Sequence, residues 1–287
     1  EHVTVINNLI LVPLPNYKRS SFLDRRVLGL MSLSLGKLWF GEKIWSDEDL
    51  ELWLSRGIPA FLGLRFFEQH FGKDTGIFSF IDWMNPRFRE HFIEDMALNK
   101  NAETPHPILA SFRDSEDPRL HMMRATYKTA MVLSMLENMI SQDTFQKGLN
   151  AFADQNWHQV GSLAKFQAAL EKELSQNNRC LSTSSSPTGI EEPQDCLSTT
   201  ELDWFFEQWF HKDIELDYSL GKLNTQKLEG KGFRSEVEVE KRGKVRMLVD
   251  VMLITEDGEE VRQIINVTKQ KETVIFQTNS PPEKVSL

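Results

Sequence analysis

Lys37 and Arg56 are two cations whose side chains can bind anions, each set in a largely apolar run. The first run is Arg25-Arg26-Val27-Leu28-Gly29-Leu30-Met31-Ser32-Leu33-Ser34-Leu35-Gly36-Lys37-Leu38-Trp39-Phe40-Gly41; the second is Trp53-Leu54-Ser55-Arg56-Gly57. On a helix, residues four apart share a face, so Leu33 and Lys37 point the same way. If Lys37 and Arg56 face one hollow, their charges suit an anion or the carboxylate of a peptide end, or they pair internally with Asp47 or Glu51. The seven histidines offer no rival centre, because none pairs with another at helical spacing and no acid completes a triad. A G-x-S-x-G elbow, a phosphate loop and a dinucleotide fingerprint are all lacking. Read from periodicity alone, the first run is a buried apolar helix and nothing more.

The flanking residues say more than the periodicity. Trp39-Phe40-Gly41 followed by Trp53-Leu54-x-x-Gly57 resembles the zinc-site core of the M1 aminopeptidases, in which H-E-x-x-H runs into Q-W-F-G and a second helix carries W-L-N-E-G. The resemblance places Leu33 and Lys37 at the two ligand histidines, Ser34 at the general-base glutamate and Arg56 at the third ligand. The family's spacing of eighteen residues between the second and third ligands is kept between Lys37 and Arg56. Two motifs and the interval between them thus agree on one register. Zinc in such a site needs imidazole and carboxylate donors, and its bound water needs a base. Leucine has no lone pair, serine is a poor base, and ammonium and guanidinium groups have no acceptor. The resemblance therefore implies a shell without its metal: no cofactor, no catalytic residue, and a protein or peptide partner for the shell. A divergent hydrolase using other groups is the alternative.

Further segments follow in the family's order. Arg124-Ala125-Thr126-Tyr127-Lys128-Thr129-Ala130 is similar to the family's Y-x-K-G helix, with Tyr127 at the oxyanion-binding tyrosine and Thr129 and Ala130 in place of the lysine and glycine. Lys37, Arg56 and Tyr127 are then the candidate anion- or peptide-binding set. Asp203-Trp204-Phe205-Phe206-Glu207-Gln208-Trp209 looks like D-W-F-F-x-Q-W, behind a capping box at Ser198-Thr199-Thr200-Glu201.

The elements that must hold these residues can be read in turn. A helix is expected up to about Gly41, and a second after Ser46, with Asp47-Glu48-Asp49 at its positive end. Pro59 should kink that helix beside Arg56. Residues 101–118 read as a polar loop, and the resemblance implies that it lies near the family's substrate groove and shapes or covers any remaining cleft. From about residue 214 the apolar period becomes two, with Arg242-Gly243 and Asp257-Gly258 as hairpin turns. The expected fold class is α+β: a mainly helical, thermolysin-like (gluzincin) domain over 1–212, then a small β-sandwich over 213–287. Residues 3–16 read as a strand, and the resemblance implies that a β domain and the first part of the peptidase-like domain lie upstream of Glu1.

Lysine and arginine number 33 against 42 acids, a net charge of -9, which argues against a nucleic-acid footprint. The apolar run Val27 to Phe40 is too short for a membrane span and carries Lys37. Cys180 and Cys196 bracket a loop-like segment, and the sequence leaves open whether they are bonded. The compartment is not readable from these residues.

Overall fold

A computed structural model describes residues 31–32, 34–47, 49–73, 75–76, 87, 89, 107–176, 201–212, 217–228, 232–267 and 269–287. Those up to Gln176, with Leu202 to Lys212, form one compact unit; those from Asp217 onward form a second. The expected strand over 3–16, the capping box at 198–200 and both cysteines lie outside the described residues.

The first unit is helical. Residues 34–36 end a short helical stretch, and α1 spans Ile58–Phe71, α2 Pro118–Met123, α3 Thr129–Ile140, α4 Gln142–Gln155, α5 Leu163–Gln176 and α6 Asp203–Phe206. Among the described residues three widened π-type turns adjoin them: Trp53–Gly57 leads into α1, Arg124–Lys128 links α2 to α3, and Glu207–His211 follows α6. The apolar faces of these helices meet in an aromatic core. Trp53 is wholly buried, with its ring centroid 5.5 Å from that of Phe166 and 5.3 Å from that of Phe210. Phe166 in turn packs edge-on against Phe152 at 5.4 Å. The Trp-Phe-Phe segment thus supplies Phe205, Phe206, Trp209 and Phe210 to the core, whereas Trp204 stays partly exposed. On the far side of α1, Arg65 bridges two buried acids, Glu137 of α3 at 3.1 Å and Glu68 at 3.6 Å, while Arg89 reaches Glu68 at 2.6 Å.

The local details differ from the sequence reading in two places and sharpen it in a third. The first helix stops at Gly36, and residues 37–39 form a tight turn with i to i+3 bonds, Leu38 N to Leu35 O at 3.0 Å and Trp39 N to Gly36 O at 3.2 Å. Glycine is a poor helix former, and here it also marks the closest approach of the neighbouring helix. Asp47 and Asp49 do not sit on a helix start. Asp47 Oδ1 accepts from Asp49 N at 2.8 Å and so caps a turn, while Asp49 binds the 111–113 loop. Pro59 lies inside one continuous helical run from Leu52 to Phe71, in which Gly57 and Ile58 keep helical dihedrals. The irregularity expected beside Arg56 takes the form of a widened turn just before the proline, where Ile58 N–H reaches back to Trp53 O.

Among the described residues the second unit holds six strands: β1 Tyr218–Lys227, β2 Phe233–Lys241, β3 Leu248–Thr255, β4 Glu260–Asn266, β5 Lys271–Thr278 and β6 Pro282–Ser286. They form two antiparallel sheets, β1-β2-β5 and β4-β3-β6, around one apolar core that includes Val237, Val239, Val251, Leu253 and Phe276. Asp257-Gly258 closes the β3–β4 hairpin, with Gly258 at φ +85°. Arg242-Gly243 does not close a hairpin. It lies where the chain crosses from one sheet to the other, because β2 pairs with β1 and β5 and never with β3. The fold class is α+β, and among the described residues no helix is long and apolar enough to cross a membrane.

Candidate functional site

The helical stretch before Lys37 runs antiparallel along α1. Ser32 Oγ donates to Gly63 O at 3.3 Å, and one turn later Gly36 stands so close to Pro59 that a Cβ there would lie 2.8 Å from the proline Cα. On its other side, the turn carrying Arg56 is pressed against the turn carrying Tyr127. A Cβ on Gly57 would fall 2.4 Å from Thr129 Cβ and 2.7 Å from Ala125 O. Glycines at 36 and 57 therefore let three segments close around Arg56.

This packing brings Lys37 and Arg56 together. Lys37 as a whole is exposed, yet its ammonium lies among enough protein atoms to hold its pKa below the ordinary lysine value, by burial first and by the charge of Arg56 second. Arg56 is half-buried, and its Nε is buried with no hydrogen-bond partner among the described residues. The two acids proposed as internal partners are engaged elsewhere. Asp47 caps its own turn. Glu51 accepts from Trp53 Nε1 and from Leu163 N at 3.3 Å, fastening α5 to the Trp53 turn, and burial raises its pKa despite those bonds. Tyr127 is half-buried, and burial raises its pKa, so its hydroxyl keeps its proton at neutral pH. Its turn touches that of Arg56 at Gly57. Ser34 is half-buried, and Leu33 lies outside the described residues.

Arg113 and its loop are the part of the site that sequence spacing missed. Asp49 accepts from Arg113 N at 2.9 Å and from Ser111 Oγ at 3.1 and 3.2 Å, and its own carbonyl accepts from Phe112 N at 3.1 Å. These bonds hold the Asp49 carboxyl below its usual range. They also fix Phe112 and Arg113 beside Arg56, so that Asp49, Leu52, Arg56, Phe112, Arg113 and Met122 line a cavity of about 220 Å³. The only hint in the sequence was the polar loop itself.

The like charges at Lys37 and Arg56 have a measurable consequence. A lysine whose folded pKa is below its unfolded value of 10.5 costs stability at neutral pH, and stability recovers as pH rises through the folded pKa. Lys37→Met should therefore raise the stability of the helical unit at pH 7, by about 1 kcal/mol at most after solvent screening, and should flatten its alkaline pH dependence. Urea titrations at pH 7 and above measure this. A less stable Lys37→Met chain at pH 7 would show that the ammonium is satisfied.

The model of the Peptidase family M1 domain matches residues 2–209. The chain belongs to peptidase family M1. It is 26% identical over 156 residues to a glutamyl aminopeptidase of Bos taurus, a stretch covering 52% of this chain and 15% of that protein. Its fold also matches that of Legionella pneumophila aminopeptidase A, solved in complex with aspartic acid, with a TM-score of 0.59 over 90% of this chain and 25% of that one at 14% identity. The chain thus spans only a small part of the length of either relative. The M1 match ends at Trp209, inside the last widened turn, and the six strands lie beyond it.

Proposed function

We propose that this chain is a non-catalytic member of family M1, a pseudopeptidase whose shell binds a peptide or protein. One observation carries this reading: Lys37 and Arg56, which the motif register puts at the second and third zinc-ligand positions, stand close enough for the charge of one to shift the pKa of the other. The residues present do not fit a zinc ion. Two cations at ligand positions repel a dication and offer it no electron pair, and Leu33 at the first position is a hydrocarbon. Among the described residues no three His, Cys, Asp or Glu side chains gather as a substitute cage. Ser34, at the general-base position, cannot take a proton from water at neutral pH. Tyr127 then serves packing and hydrogen bonding, and Lys37, Arg56 and Tyr127 form the rim of a binding surface.

Metal analysis and an aminopeptidase assay on the purified protein, over a panel of aminoacyl substrates, test the proposal together. The expected result is zinc far below one equivalent and no hydrolysis above background. One equivalent of zinc, removed by chelator together with turnover, would overturn the proposal and favour a divergent hydrolase.

A further inference from the structure

We propose that the cavity between Arg56 and Arg113 takes a carboxylate attached to an apolar group, the chemistry found at the C-terminus of a peptide. This rests on the non-catalytic reading, because it treats Arg56 as a ligand-binding group. Among the described residues, two guanidinium residues line the cavity against one carboxylate, that of Asp49, which accepts from Ser111 Oγ and Arg113 N and is also attracted by the Arg113 charge. The balance is positive, and Lys37 adds to it from beside Arg56. A guanidinium presents paired N–H donors at the spacing of carboxylate oxygens, and the buried Arg56 Nε lacks an acceptor among the described residues. The remaining lining is apolar: Leu52, Phe112 and Met122. A bare inorganic anion would leave that surface unused, whereas a carboxylate carrying a hydrocarbon side chain uses both parts. At about 220 Å³ the space is below the roughly 300 Å³ at which pockets for drug-sized ligands begin, so it suits a single residue. Arg113 is exposed, so an entering chain end can reach it from solvent.

Calorimetric titration of the full chain, kept metal-free, with four probes tests this: N-acetyl-leucine, N-acetyl-leucinamide, and acetyl-Ala-Ala-Leu as its acid and as its amide. The acids should bind about tenfold or more tighter than their amides, the step expected when a charged hydrogen-bond pair is lost. Arg113→Met, a change at an exposed side chain that should leave folding intact, should weaken the acids about tenfold and leave the amides unchanged. Arg56→Met should do the same. If the tripeptide acid binds tighter than N-acetyl-leucine, the site reads a peptide end; equal affinities assign it to small carboxylic acids, and the site still stands. Equal binding of acids and amides, or acid binding indifferent to Arg113→Met, would overturn the proposal. Zinc found by metal analysis would overturn the non-catalytic reading instead, so the two failures are distinguishable.

Discussion

Replacing Leu33 and Lys37 by histidine and Ser34 and Arg56 by glutamate should give a chain that binds one equivalent of zinc with a dissociation constant near micromolar, and the unaltered chain should take up none under the same conditions. The backbone arrangement is the reason. The Lys37 segment lies along α1 through Ser32–Gly63 and Gly36–Pro59, and the Arg56 turn follows directly, so side chains at 37 and 56 reach a common space. Position 37 falls one residue past the last helical residue, so its imidazole needs a small adjustment to face the one at 33. Micromolar binding corresponds to about 8 kcal/mol. Unit charges about 4 Å apart at an effective dielectric of ~20 interact by roughly 4 kcal/mol, and a dication doubles that. A triple variant that keeps Arg56 therefore loses about as much as the restored ligands supply and should take up almost no zinc. Competition with a chromophoric chelator measures both variants. A fully folded quadruple variant that leaves zinc with the chelator would show that these positions do not converge, and would remove the basis for the proposed function.

How far the site was legible depends on which residues had local partners. Trp53, Gly57 and the aromatic Trp204 to Trp209 segment could be read as motif residues, and most of the aromatics fill the core; that Gly36 and Gly57 admit neighbouring segments shows only once those segments are in place. The widened turns could not be read, since nothing in Trp53–Gly57 or Arg124–Lys128 separates five-residue from four-residue hydrogen bonding until the partner helix is in place. Asp47 and Asp49 were misassigned for a related reason. An acid before an apolar run suits a helix start equally well as a turn, and the Ser111 and Arg113 donors that decide the matter for Asp49 lie some sixty residues away. Arg242-Gly243 marks a reversal in the chain, but turn chemistry alone cannot say whether the next strand joins the same sheet.

Gly57→Ala should destabilise the helical unit by about 3 kcal/mol, a large effect for one methyl group. The new Cβ would meet Thr129 Cβ and Cγ2 at 2.4 Å and Ala125 O at 2.7 Å, all well inside van der Waals contact. Thr129 is wholly buried, and its Cβ is fixed to the helix backbone, so rotating the side chain gives no relief. The turns of Arg56 and Tyr127 must separate instead, and that strain falls on the packing that closes the candidate site. Thr129→Gly removes two of the three clashing atoms, at a cost of about 1 kcal/mol in helix propensity. The double variant should therefore lose about 1–2 kcal/mol less than the sum of the single changes, with the residue of the penalty set by Ala125 O. Urea denaturation of the four chains gives this coupling directly. Simple additivity would mean that the two turns do not touch, and Arg56 would then lack the support that holds it beside Lys37.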